Sequence, residues 1–184
     1  MIESIEKGRK EDGNRSIADK INKRLHDLDK TVENNKGRWA WELLQNAKDS
    51  IAHYPDRKIS IQIEHNNDSI IFRHNGIYFT EKDIRGIINQ ISSKETEEGE
   101  TSNRTGRFGT GFLTTHLLSR KIDIEGILET DSLETYRFKF PLDRTGNSMA
   151  QLMPKVENAW VEFQNSVELI NSDYDEYAYN TSFT

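Results

Sequence analysis

Two pairs of alternating runs constrain this chain more than any other feature. KISIQIEH (58–65) and DSIIFRH (68–74) are parted by Asn66-Asn67-Asp68, and KIDIEGILE (121–129) is followed by ETYRFKF (134–140). In each run, β-branched or aromatic residues recur at every second position, the period of a strand with one dry and one wet face. Paired across polar turns, they predict two β-hairpins. Between and around them the period changes to that of helices. Ser16 precedes Ile17, Ile21, Leu25 and Leu28, a capped amphipathic helix broken by Asn34, Asn35 and Gly37. A second helix is expected from about Arg38 to His53, and a third through EKDIRGIINQI, capped by Thr80. A fourth spans Met149–Leu169, with Pro154 marking an early turn or kink, and the terminal YAYNTSFT alternates like a strand. Strands and helices follow no regular strand–helix–strand order. The expected class is therefore α+β, a two-layer sandwich with a mixed, largely antiparallel sheet covered by helices on one face.

Residues 1–15 are charged and contain glycine, so they are expected to form a mobile arm ahead of a domain spanning 16–184. Within that domain, residues 92–105 (SSKETEEGETSNRT) carry no apolar side chain, and a polar lid is expected over 92–108. Aromatics at 9% still argue for a packed core. Residues 1–60 hold 13 Lys/Arg against 11 Asp/Glu, whereas 61–184 hold 12 against 20. An acidic domain lacks the electrostatic footprint for nucleic acid, so no direct nucleic-acid binding is expected. Apolar runs are too short for a membrane span, no apolar leader is visible, and cysteine is absent. The expected location is the cytoplasm.

Three constellations carry chemistry. In WELLQNAKDS, a helical wheel sets Asn46 about 40° and Asp49 about 20° from Glu42. One carboxamide and two carboxylates thus share a stripe beside the apolar face. A carboxylate can take a proton from water, and a carboxamide oxygen suits a hard cation such as Mg²⁺; a solvated polar face would look the same. In IIFRHNGIYFT, a strand ends at His74-Asn75-Gly76, where backbone can approach a flat ligand or simply turn. In GRFGTGFLTTHLLS, Gly106, Gly109 and Gly111 free backbone N–H groups ahead of a short helix, a phosphate-binding construction or a plain glycine turn before a core helix.

In this order and spacing, the three motifs resemble the ATP-binding domain shared by the ninety-kilodalton heat-shock chaperone, type II topoisomerases, MutL-type mismatch-repair proteins and sensor histidine kinases, the GHKL or Bergerat-fold superfamily. The motifs cover Arg38–Ser119, and the glycine-loop form is similar to the chaperone and sacsin-like branch. The resemblance implies ATP and Mg²⁺ as ligands. It makes Glu42 the general base for the attacking water, Asn46 the Mg²⁺ ligand, and Asp49 a support for the nucleotide side of the pocket. It assigns His74, Asn75 and Gly76 to the adenine-binding turn. Gly106, Arg107, Phe108, Gly109, Thr110, Gly111 and Phe112 form the phosphate loop and its helix, Lys94 is a candidate phosphate contact, and Thr181 matches a late threonine near adenine. Where the family has Asp before Asn-Gly, accepting a hydrogen bond from the adenine amino group, this chain has His74. A neutral imidazole offers one acceptor that could replace the carboxylate; an imidazolium does not.

The implied function is ATP binding with slow hydrolysis. Lid closure would drive homodimerisation or clamping, and a downstream domain or partner subunit would supply a further cation to the γ-phosphate. On this reading the chain is the N-terminal part of a longer protein. The alternative is a module that senses nucleotide without useful hydrolysis. A histidine-kinase role would need a phosphoacceptor such as His26, and the glycine-loop form fits that branch poorly.

Overall fold

The computed structural model describes residues 2–35, 37–90, 108 and 110–184. Its helices are α1 (Ile2–Lys30), α2 (Val32–Asn35), α3 (Arg38–Ser50), α4 (Glu81–Asn89) and α5 (Met149–Ser166), with a 3-10 helix at Thr110–Leu117. The strands are β1 (Ile61–His65), β2 (Ile70–His74), β3 (Lys121–Glu129), β4 (Thr135–Asp143), β5 (Glu168–Leu169) and β6 (Thr181–Phe183). They form one sheet in the order β1-β2-β6-β3-β4-β5. Every neighbouring pair is antiparallel, and an isolated parallel bridge joins Phe79 to Leu128.

Both predicted hairpins are present, β1–β2 and β3–β4. In the longer one, Ile122, Ile124 and Leu128 face inward beside Phe138, Phe140 and Leu142, while Lys121, Asp123, Glu125, Arg137 and Lys139 face water. Glu125 and Lys139 stand opposite each other in register and form an ion pair at 3.6 Å. One face is thus dry and the other charged, which is why the helices pack on a single side. Gly126 lies in the dry face at a point where a Cβ would overlap the rings of Phe79 and Phe138. The absent side chain lets those rings meet edge to face at 5.2 Å.

Helices differ from expectation at their ends, α3 stopping at Ser50 rather than near His53. The helix expected from Ser16 begins at Ile2, so residues 2–15, read as an arm, are the first half of α1. The second half packs Ala18, Ile21 and Leu25 against Leu152 and Val156 of α5 and Leu113 of the 3-10 helix. Packing of that half supplies the nucleus; no proline interrupts backward propagation, and Lys10 reaches Glu157 of α5 at 3.6 Å. In α5, Pro154 is accommodated inside the first turns, and the helix stops at Ser166. Thr80 caps α4 as predicted. Its hydroxyl accepts from the Asp83 N–H at 3.3 Å, and the Asp83 carboxylate accepts from the Thr80 N–H at 2.8 Å.

A cationic knot lies beneath the end of α4. Arg144 is fully buried and donates to the Ile88 carbonyl and to its neighbour Asp143, while Arg24 donates to the Gln90 carbonyl at 2.7 Å. Two guanidinium groups thereby meet the negative end of the helix dipole. Burial pulls Arg144 down to about 10, so it stays charged at neutral pH. Burial first, and Arg144 second, hold buried His116 down at about 3, so its ring is neutral, with Nδ1 donating to the Ser119 carbonyl at 3.2 Å.

The unfolded His116 titrates near 6.5 and the folded one near 3. Between those values the unfolded chain binds the extra proton, so acid lowers stability by roughly 1.4 kcal/mol per pH unit from this group alone. Denaturant titrations at several pH values between 6.5 and 3.5 should show a slope about one proton shallower in His116→Asn than in the wild type; parallel slopes would show that the imidazole is not held neutral.

Candidate functional site

Helix α3 supplies the first wall. Its apolar side buries Leu43 and Ala47 in the core, with Trp39 and Leu44 partly covered. Beside that side runs a polar stripe. The Glu42 side chain is 18% exposed and accepts from Arg38 Nε at 3.2 Å. It packs against Gly111 so closely that a Cβ there would overlap the carboxylate. The base candidate of one motif and a glycine of another, far apart in sequence, are thus in direct contact. One turn on, Asn46 is 7% exposed, and its Nδ2 is buried without a partner. An unmet amide of this kind is costly in a core and ordinary in a ligand site. Asp49 lies exposed on the last turn, whereas Ser50 beside it is buried and donates to the Ala47 carbonyl at 2.6 Å.

The end of β2 supplies the second wall. Asn75 is engaged by backbone: its Oδ1 accepts from the Ser60 N–H at 2.6 Å, and its Nδ2 donates to the carbonyls of Lys58 (3.1 Å) and Glu176 (2.5 Å). The Tyr174 hydroxyl donates to the Asn75 carbonyl at 2.5 Å. Burial pushes the Tyr174 phenol up, keeping it a proton donor. Arg57 lies 4.0 Å over the Tyr174 ring and 4.7 Å over Tyr54. The Asn75 side chain therefore holds the turn against the segment before β1 and the loop before β6. His74 is buried, and its Nδ1 accepts from the Gly76 N–H at 3.0 Å. That bond requires an unprotonated Nδ1 and places the neutral ring's proton on Nε2. The acceptor that could have replaced a carboxylate is thus engaged inside the turn. Gly76 has no room for a Cβ, which would overlap Ser50 Oγ.

Across the sheet, Thr181 stands opposite His74 in the β2–β6 register, buried, and donates to Asn180 Oδ1 at 3.2 Å. The Asn180 Nδ2 is a second buried amide nitrogen without a partner.

The glycine-rich segment enters the described residues at Phe108. Phe108 and Phe112 both point into the core: Phe108 stacks on Phe79 (5.4 Å), the two meet edge to face (5.5 Å), and both lie tilted against Phe183 (6.0 and 5.6 Å). Their rings anchor the segment rather than line a ligand surface. The helix expected after the loop is a 3-10 helix, opened by Thr110, with the Thr114 and Thr115 hydroxyls donating back to Gly111 and Phe112 carbonyls. Lys94, Gly106, Arg107 and Gly109 lie outside the described residues, as does nearly all of the expected lid.

The structure therefore gathers Glu42 with Gly111, and Ser50 with Gly76 and His74, along one side of α3, with Asn46 between them, and Thr181 stands opposite His74 on β6. Sequence reasoning missed Ser50 and Asn180. For Ser50 a signal existed, since it is four residues beyond Asn46 and eight beyond Glu42, on the same helical stripe. A cavity of about 460 Å³, lined by Trp39, Leu43, Phe72, Ile122, Phe183 and the β1–β2 turn, contains none of the predicted site residues. Among the described residues no three His, Asp or Glu side chains are grouped to hold a metal, and no helix is long and apolar enough to cross a membrane.

Comparison with known proteins finds relatives of this chain. The chaperone protein HtpG of Sulfurovum sp. (strain NBC37-1) is 23% identical over 154 residues, covering 71% of this chain and 24% of that protein. The chain thus spans about a quarter of that relative's length. A family model described as histidine kinase-, DNA gyrase B- and HSP90-like ATPase matches residues 40–173, a span that contains Glu42, Asn46, the His74–Gly76 turn and the glycine-rich segment, and stops short of Thr181. That match covers most of the molecule, and the chain belongs to this ATPase family.

Proposed function

We propose that this chain binds ATP with Mg²⁺ and hydrolyses it slowly. The observation that carries the reading is the contact of the Glu42 carboxylate with Gly111, with the partnerless Asn46 amide one turn further along α3. A carboxylate set against a glycine of a phosphate-binding motif supports a base that acts on water beside the terminal phosphate. Water held by Glu42 attacks the γ-phosphorus, its proton passes to the carboxylate, and the bond between the γ-phosphorus and the ADP oxygen breaks. No cluster of His, Asp or Glu among the described residues would hold a metal; the Asn46 carboxamide oxygen would be the chain's donor to Mg²⁺, with nucleotide oxygens and water completing its shell. Bound there, the ion supplies neutralisation of phosphate charge.

Coupling of ATP binding to homodimerisation or to clamping of a larger protein belongs to the same proposal and rests on the family alone. A second reading, a nucleotide-sensing module without useful turnover, is favoured by the Arg38–Glu42 ion pair, because a base engaged by a neighbouring guanidinium must leave it to reach water.

Replacing Glu42 by Ala should lower turnover by about a hundredfold or more while changing ATP affinity by less than about threefold. Paired turnover and calorimetric titrations check this; equal loss of both would make Glu42 a structural residue. Asn46→Ala should weaken Mg-ATP about tenfold and leave metal-free ATP nearly unaffected, so titrations with and without Mg²⁺ separate a metal role from a packing one. Clean ATP binding by a wild type with no measurable turnover would favour the sensing module.

A further inference from the structure

Resting on the ATP reading above, we propose that Ser50 is the specificity-determining residue for the base, its hydroxyl oxygen accepting the hydrogen bond from the exocyclic amino group of adenine. Hydrogen-bond capacity singles out this hydroxyl. At the turn that receives the base, the acceptors are largely engaged. His74 Nδ1 takes the Gly76 N–H, the Asn75 carbonyl takes the Tyr174 hydroxyl, and the His74 carbonyl takes the Asn180 N–H at 3.2 Å. The Asn75 carboxamide is engaged at both ends by backbone. Ser50 is different. Its single proton goes to the Ala47 carbonyl, so the oxygen keeps its accepting capacity, inside a buried site and directly against Gly76.

Its position on α3 agrees. Glu42, Asn46 and Ser50 follow at four-residue intervals, so Ser50 lies about 12 Å along the helix axis from Glu42. With Glu42 at the γ-phosphate and Asn46 at the metal and phosphates, the third side chain of the stripe comes at the base end. Thr181 is the competing hydroxyl. It sits on β6, across the sheet from His74, and is tied to Asn180 rather than set against Gly76.

The test compares Mg-ATP with Mg-purine riboside triphosphate, the same ligand without the amino group, by calorimetric titration of the wild type, Ser50→Ala and Thr181→Val. The wild type should bind ATP about tenfold more tightly than the purine analogue. Ser50→Ala should weaken ATP about tenfold, leave the analogue unchanged and erase the difference between them, whereas Thr181→Val should preserve it. The wild-type comparison needs no substitution and stands even if a variant folds poorly. Equal affinity of the wild type for the two ligands overturns the proposal, as does a difference that survives Ser50→Ala or vanishes in Thr181→Val. Failure of the wild type to bind either triphosphate overturns the ATP reading itself, a result distinct from binding without discrimination.

Discussion

The candidate site depends on an aromatic seam. Phe79 leads into α4, Phe108 and Phe112 flank Gly111, Phe138 sits on β4 and Phe183 on β6, and their rings meet at 5.2–6.0 Å. Each ring buried this way is worth roughly 1.5–3 kcal/mol. The seam joins Phe108 and Phe112 to the middle of the sheet. Gly111 is thereby held under α3, where it meets Glu42. Gly126 completes the arrangement by leaving the space that Phe79 and Phe138 share. Energy from apolar packing thus positions polar chemistry.

Around that seam, the polar groups divide into two kinds. Asn75, Tyr174, Arg57 and Asp83 are engaged in holding turns and helix ends together, with partners in the backbone or in aromatic faces. The Nδ2 atoms of Asn46 and Asn180 are buried and unmet. Buried polar atoms without partners are uncommon in native interiors, and Arg57 Nη1, Arg144 Nε and His116 Nε2 are unmet as well. The knot of Arg144 and His116 does a different job. It sits beneath the C-terminal end of α4 and meets the helix carbonyls with fixed charge.

His74 shows how a family resemblance and a structure answer different questions. By resemblance, it stands where a carboxylate accepts from adenine, and its chemistry permits one accepting nitrogen. The turn itself engages that nitrogen through Gly76. A residue can therefore keep its place in a motif while its accepting nitrogen is engaged within the turn.

Local patterns were legible without coordinates. Alternation in 58–74 and 121–140 specified both hairpins, because a period of two has one structural solution when one face must be dry. Thr80 announced the start of α4, and the ordered spacing of Glu42, Asn75-Gly76 and Gly106–Gly111 pointed to the ATPase family. Other features needed the tertiary structure. The charged segment 2–15 is helical because of packing further along α1, which local composition does not record. β6 holds the middle of the sheet through pairing with strands more than fifty residues earlier in the chain. Phe108 and Phe112 read as loop residues and turn out to be core anchors, since a ring's direction depends on what surrounds it. The contacts of Glu42 with Gly111 and of Ser50 with Gly76 likewise join residues remote in sequence. Periodicity is a property of neighbours along the chain, and so the sequence alone determined the elements and the motif order; which side chains face one another across the site is set by close packing between elements, and only the folded structure decided it.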